Sequence, residues 1–291
     1  MIGIHPDLSS QDYHAHKESI SRSAMMDFKR SPYTYWAMHL NPERPEKLAT
    51  PSMIFGSAFH TFILEPHLFD KEYIVEPETL KLPKVGLLRD LGRPEYDKQK
   101  SERDYVSLQN KIRLEEFEAQ ADGKITLTTD QMLTLLAMRD ALQKHPTAMQ
   151  LVTGATYEQS YFWQDKESGL IVKARPDIIH DNMIVDLKTI ADASPSNFQR
   201  SMVSGGYHVQ GAVIRDGIRA LTGQDIPNVI NIAVQTSYPY SIGIYIIDEY
   251  ALEQGREEYK QLLVDIKSAF VNNNFPDYEV QTVSLPTWAI R

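Results

Sequence analysis

The stretch Arg175-Pro176-Asp177-Ile178-Ile179-His180-Asp181-Asn182-Met183-Ile184-Val185-Asp186-Leu187-Lys188 constrains this chain more than any other. It reads as two short apolar strands joined by an Asp-Asn turn, which is a hairpin. Pairing the strands brings Asp177 near Asp186 and Lys188. Residues two apart on a strand share a face, so Asp186 and Lys188 point one way while Leu187 packs behind. A run such as Ile184-Val185-Asp186-Leu187-Lys188 predicts a buried strand, and burying an Asp and a Lys is costly unless they are paired or metal-bound. Two carboxylates and an ammonium at one end of a sheet suit a hard divalent cation, Mg²⁺ or Mn²⁺. A lysine beside them can orient or deprotonate a water, the minimal equipment for metal-assisted phosphodiester hydrolysis. The pattern is short, and a surface hairpin with an Asp–Lys pair would produce the same residues. The apolar context favours the buried site.

Composition narrows the alternatives. At 291 residues, 42% hydrophobic and 24% charged, the chain has the make-up of an ordinary soluble protein. It has no cysteine, which excludes disulfides, Cys-ligated zinc and Cys-held iron–sulfur clusters. No apolar run is long enough to span a membrane, and Met1 to Asp7 lacks the features of a signal peptide. The expected setting is the cytoplasm. The formal charge of −9 argues against nucleic-acid binding unless positive charge is concentrated locally. Between Lys81 and Arg113 nine Lys/Arg stand against five acids, a local balance of +4. That segment is either a basic patch or a solvated, partly mobile stretch.

Apolar periodicity and punctuation predict the elements. Ser21 or Ser23 caps a helix through Arg30, and Pro32 opens a second one rich in Tyr33, Tyr35 and Trp36. Residues 53–64 form a buried helix closed at Glu65-Pro66, with His60 its most polar long side chain. On these residues alone His60 reads most simply as a core histidine. Residues 67–125 read as loops and short helices. Thr128-Thr129-Asp130-Gln131 opens a helix with a capping-box pattern, and Pro146 follows its end. Strands are expected at about 157–164, 169–175, 177–179 and 183–189. A helix at 196–221, interrupted at Gly205-Gly206, precedes strands at 229–236 and 241–247. A long amphipathic helix follows at about 249–271, and an extended tail runs to Arg291. This order implies an α/β (α+β) fold, with a central mixed sheet flanked by helices. Residues 1–150, mainly helical, are expected to wrap a core at 151–291 within one domain.

Several machineries are missing. The chain has no G-x-x-x-x-G-K-[ST] phosphate loop, no G-x-G-x-x-G, no G-x-S-x-G and no H-E-x-x-H. A nucleotide-driven motor and a zinc hydrolase are therefore not expected.

At these residues the chain resembles a known family. Asp177, Asp186-Leu187-Lys188 and the preceding strand with Glu158 match the D…(D/E)-x-K core of the PD-(D/E)xK nuclease superfamily. The segment Gly56 to Pro66, containing His60, looks like the motif preceding that core in its RecB-like branch. Ile20 to Ser23, Ser31 to Tyr33, Lys173 to Asp177 and Tyr207-His208-Val209-Gln210 are similar to the RecE-like subgroup, the nuclease domain of exonuclease VIII.

The resemblance implies a restriction-endonuclease-like core. His60, Asp177, Asp186 and Lys188 become the catalytic set, with His60, Asp177 and Asp186 as ligands of Mg²⁺ or Mn²⁺. Glu158, Gln210, Tyr207, Lys173 and Arg175 become weaker candidates for DNA contact or for supporting the ligands. The branch usually carries Tyr four residues after the Gln; here that residue is Ile214, and Tyr207 is a candidate substitute from the previous turn. The resemblance further implies an ATP-independent exonuclease that degrades the 5′ strand of linear duplex DNA. It implies a ring-shaped homo-oligomer, such as a tetramer, and a single-strand annealing partner, in a bacterial or phage-infected cell. A structure- or sequence-specific endonuclease on the same site, and a non-catalytic DNA-binding module, remain the alternatives.

Overall fold

The computed structural model describes residues 1–45 and 48–285. The N-terminal part begins with β1 (Gly3–His5), α1 (Ser10–Ala15), β2 (Ile20–Ser21) and α2 (Arg22–Arg30). Ser21 caps α2 by accepting from the Ala24 N–H. Pro32 sits in the first turn of α3 (Pro32–Tyr35), which runs into a π-helical turn at Trp36–Leu40. Thr50 caps α4 (Pro51–Leu64), and a second proline starts α5 (Pro66–Glu72). After β3 (Tyr73–Val75) come α6 (Leu88–Leu91) and α7 (Arg93–Ala121), then β4 (Ile125–Leu127). The expected capping box is present: Thr128 and Gln131 each bond the other's backbone at the start of α8 (Thr129–Gln143). Pro146 does more than follow that helix, since it opens α9 (Pro146–Val152).

The C-terminal part holds β5 (Thr156–Tyr157), β6 (Ser160–Gln164), β7 (Ile171–Ala174), β8 (Ile178–His180) and β9 (Met183–Ile190). Then follow α10 (Pro195–Gly205), α11 (Tyr207–Thr222), β10 (Asn228–Gln235), β11 (Ile242–Ile247) and α12 (Glu249–Asn272). Gly206, at φ +63°, makes the left-handed turn between α10 and α11, a conformation that suits glycine. Among the described residues no helix is long and apolar enough to cross a membrane.

The fold is mixed α/β, as expected, but the strands divide between two larger sheets. One is four-stranded in the order β1-β6-β7-β2; the other is five-stranded in the order β11-β10-β9-β8-β5. The strand expected at 157–164 breaks because Glu158 takes a left-handed conformation, φ 49°, so β5 joins one sheet and β6 the other. In the five-stranded sheet β9 and β10 are parallel, and α10 with α11 supply the crossover such a pair requires.

Both faces of this sheet are covered. Val185 and Leu187 of β9, with Ile230, Ile232 and Val234 of β10, pack with α4, α8 and α9. Ile184 and Val229 pack on the other side with α2, α11 and α12. The alternation places Leu187 behind Asp186 and Lys188, as the hairpin pattern predicts. α12 lies so close to α11 that a Cβ on Gly255 would stand 2.6 Å from the His208 carbonyl oxygen.

The expectation of loops and short helices over 67–125 is corrected. β3 and β4 pair in parallel, so the chain leaves and returns at one place, and the intervening residues form an arm. Its main element is α7, 29 residues long with none buried. An extended strap lies along α7. The Asn110 side chain bonds both the N–H and the carbonyl of Leu80 at 2.7 and 2.8 Å, and Arg113 donates to the Glu78 carbonyl at 3.1 Å.

Candidate metal centre

The chain crosses between the two sheets twice, once after Tyr157 and once between Ala174 and Ile178. The residues at these crossings are Glu158, Arg175, Pro176 and Asp177, and the Glu158 N–H donates to the Asp177 carbonyl at 3.1 Å. Asp177 is 7% exposed, and its Oδ2 accepts the Leu187 N–H at 2.7 Å. α4 brings His60 to the same point. Its Nδ1 lies 3.6 Å from Asp177 Oδ2 and 3.7 Å from Glu158 Oε1. His60, Glu158 and Asp177 each offer a ligand atom, all within 4.8 Å of one another.

The electrostatics of this cluster call for a cation. Burial, then the Asp186 carboxylate, push the Asp177 carboxyl up from 3.8 to about 7. Burial alone would lower His60. Asp177 and Glu158 overrule it and raise the imidazole from 6.5 to about 9. A buried group of acids that must hold a proton to offset its own charge can exchange that proton for a metal ion.

Asp186 and Lys188 sit beside this cluster on the α11 face of β9. Asp186 Oδ1 accepts from Gln210 Nε2 at 2.7 Å. Lys188 Nζ lies 2.7 Å from Asp186 Oδ2, a close ion pair, but off the direction that would make a hydrogen bond. Lys188 is thus the one polar neighbour of this buried oxygen among the described residues. Lys188 Nζ also donates to Gln210 Oε1 at 3.2 Å and stands 5.1 Å from the centre of the Tyr207 ring. Burial would lower Lys188, but the charges of Asp186 and Asp177 raise it, so it is an ammonium. The imidazole and oxygen donors of His60, Glu158 and Asp177, with the Asp186 oxygen that faces Lys188, suit Mg²⁺ and more so Mn²⁺.

The candidates from sequence fall into distinct places. His60, Asp177, Asp186 and Lys188 converge. Glu158, expected only as a support, stands among the potential ligands with His60 and Asp177. Arg175 supports it: Nε donates to Glu158 Oε2 at 2.9 Å, while Nη1 donates to the Leu8 carbonyl and Ser160 Oγ. Gln210 and Tyr207 both reach Lys188. Lys173 has a different task. It is 5% exposed, and its ammonium donates to the carbonyls of Tyr13 and His16 at 2.6 and 2.8 Å, so its charge holds the N-terminal segment.

Two cavities flank the cluster. A cleft of about 730 Å³ opens over His60, Glu158, Asp177 and Arg175, walled by Tyr13 and His14. A smaller cavity of about 270 Å³ lies beyond Tyr13 and His14, next to Lys188, Gln210, Ser21 and Arg22. Sequence reasoning did not single out Arg22, whose buried Nε has no hydrogen-bond partner. Its only sequence signal is its place in Ser21-Arg22-Ser23 at a helix start.

An acid at the entry of one strand of a mixed sheet, facing D-x-K on the next, defines the PD-(D/E)xK class of nuclease folds. Residues 21–284 match the family described as a PDDEXK-like domain of unknown function (DUF3799), and the chain belongs to that family. The crystal structure at 2.19 Å of a "Putative exonuclease" from Eubacterium rectale has a similar fold, with a TM-score of 0.58 and 16% identity over 90% of this chain and 87% of that one. No curated protein sequence matches the chain.

Proposed function

We propose that this chain is a metal-dependent, ATP-independent DNA exonuclease, a single nuclease domain that hydrolyses phosphodiester bonds from the ends of linear duplex DNA. The observation that carries this reading is the convergence of His60, Glu158 and Asp177 next to the Asp186–Lys188 pair. His60, Glu158, Asp177 and Asp186 Oδ2 are the groups that would hold Mg²⁺ or Mn²⁺. When bound, such a cation polarises the phosphate and lowers the pKa of a water.

The protein's own residues do the rest. Lys188 keeps a fixed positive charge beside the acids, where charge builds up on the phosphate oxygens in the transition state. Gln210 bonds both Asp186 and Lys188, which sets their spacing. Arg175 orients Glu158 while tying it to the N-terminal segment. Attack in the 5′→3′ direction, a 3′ single strand handed to an annealing partner, and a homo-oligomeric ring of about four subunits complete the proposal by resemblance. In a ring, basic residues can face the DNA while the net charge stays negative.

Digestion of a linear duplex labelled at either the 5′ or the 3′ end, beside a covalently closed circle, tests this reading. Release of the 5′ label with Mg²⁺ or Mn²⁺, and an intact circle, are expected. Cutting of the circle would make the chain an endonuclease. No cleavage of either substrate, or full activity of both Asp177→Ala and Asp186→Ala, would overturn the nuclease assignment.

A further inference from the structure

The arm is charged unevenly along its length. The strap meets α7 at Glu78 and Leu80, opposite Arg113 and Asn110, and again at Gly86, whose N–H donates to Gln99 at 3.0 Å. It therefore runs alongside α7 from root to tip, and the tip at α6 lies about 30 Å beyond Arg113. Outside the Arg113–Glu78 contact, residues 79–113 hold nine Lys/Arg against five acids. Inside it, residues 76–78 and 114–124 hold six acids against Lys124 alone. A positive outer part thus stands on a negative root, in a chain of net charge −9.

The outer bases share a side. Arg93, Tyr96, Lys100, Arg103, Ser107 and Lys111 follow one another at steps of three or four residues, so they line one face of α7 over about 27 Å. All but Tyr96 are exposed. Asp97, Asp104 and Glu115 border this stripe on one side. On the other side runs the strap, with exposed Lys81 and Lys84. Arg93 and Lys111 are paired with Asp97 and Glu115, at 3.4 and 3.6 Å. Lys81, Lys84, Lys100 and Arg103 enter no ion pair among the described residues.

The metal cleft shows what such a stripe is for. Its walls carry Asp7, Glu65, Glu72, Glu158 and Asp177 against one arginine, Arg175, which is spent on Glu158. A polyanion gains little attraction from those walls, so the charge that draws it in has to lie elsewhere. The arm grows out of one of them: Glu72 and Tyr73 line the cleft, and Tyr73 begins β3. The stripe has a single, half-buried aromatic ring and no large apolar residue. That suits a phosphate backbone better than stacked single-strand bases or a bilayer.

We infer that the outer part of the arm grips the backbone of duplex DNA beside the cleft, with Lys81, Lys84, Lys100 and Arg103 on phosphates. The inference rests on the nuclease reading and adds a surface which that reading does not use. Phosphate contacts carry no sequence information, so the grip holds any duplex.

In the full chain with Ca²⁺ as the cation, the anisotropy of a short fluorescent duplex reads binding. Each phosphate contact contributes about 0.9 to the slope of log Kd against log salt, so Lys100→Gln/Arg103→Gln should lower the slope by about 1.8 and raise Kd about 30-fold at about 0.15 M salt. Lys81→Gln/Lys84→Gln, on the strap, should give a loss of the same order. Lys98→Gln removes the same charge from the opposite side of α7 and should bind within about twofold of wild type. An equal loss per charge in Lys98→Gln would mean that net charge alone steers the DNA. An unchanged Kd in both double variants would leave the arm for some other acidic partner. Either result overturns the inference, as would a single strand bound more tightly than the duplex. Helical circular dichroism and the rise in melting temperature with Mn²⁺ report on the fold and the metal centre of each variant. If wild type binds in this pattern but cleaves no DNA, the nuclease reading falls and the arm stands; if it cleaves and the arm variants bind normally, the arm alone falls.

Discussion

Replacing Asp177 by Asn should make the metal-free protein more stable while abolishing its activity. The carboxylate is buried beside Asp186, and its rise from 3.8 to about 7 disfavours the ionised form by about 4 kcal/mol. Asn keeps the oxygen that accepts the Leu187 N–H, so the hydrogen bond at 2.7 Å can survive the change. The sign follows from proton linkage. Below pH 3.8 the Asp177 carboxyl is neutral in both folded and unfolded chains, and the substitution changes little. As pH rises towards about 7, the unfolded chain ionises and the folded one does not, so wild type loses stability that the variant keeps. His60 offsets part of this gain. Among the groups that raise it Asp177 comes first, and the stability of its charged form is present below 6.5 and lost as pH rises through about 9. The comparison therefore belongs above pH 9, where the imidazole is neutral in both proteins. Urea unfolding in EDTA at that pH should favour Asp177→Asn by about 1–4 kcal/mol. The rise in melting temperature that Mn²⁺ gives wild type should vanish. A variant less stable than wild type in EDTA, or one still stabilised by Mn²⁺, would refute the account of Asp177 as a frustrated ligand.

Other consequences are as direct. Metal must displace a proton from His60, so affinity for Mn²⁺ should climb with pH up to about 9 and then level off; calorimetry in two buffers of different ionisation enthalpy at pH 7 counts the proton released, and a count of zero would contradict it. Lys188→Ala should lower turnover about a hundredfold or more, roughly 3 kcal/mol of barrier, while DNA binding in Ca²⁺ changes little; Lys188→Arg should also be poor, because a planar fork does not replace a compact ammonium. Gly255→Ala should destabilise the fold by about 1–3 kcal/mol through overpacking, since its Cβ would meet backbone at 2.6 Å. Because α11 also carries Gln210, its activity should fall too, and a variant with normal urea unfolding and normal rates would show that α12 simply moves aside.

The parts of the site that lie on one local period were legible in the sequence. β9 alternates Ile184, Asp186 and Lys188 against Val185 and Leu187, and only one pairing buries the second set. α8 announced itself by its capping box and α12 by its apolar spacing, while α10 and α11 read as one helix interrupted at Gly205-Gly206. Glu158 did not stand out, because it reaches the cluster through a break between strands of different sheets, and no spacing encodes that. His60 is one polar residue on an apolar helix, and only the resemblance raised it above a core histidine. α7 was missed because its apolar residues fall on two sides, one for the strap and one open, so no single stripe marks it. The usable signal was an absence, with no Gly or Pro from Glu95 to Ala121 between Gly92 and Gly123. β1 and α1 are too short to have a period; β1 is fixed by its ladder with β6, and α1 by the far-off ammonium of Lys173.

The left-handed turn at Glu158 has a mechanical consequence. The same residue that carries the chain out of the five-stranded sheet and into the four-stranded one offers a carboxylate to the cluster. Asp177 does so at the return crossing. A cation gripping both side chains would tie the outgoing and returning strands at the joint and fix the angle between the sheets. Loading the centre should therefore stiffen the whole molecule about that joint, so that slower proteolysis between the sheets reports occupancy even when no DNA is present.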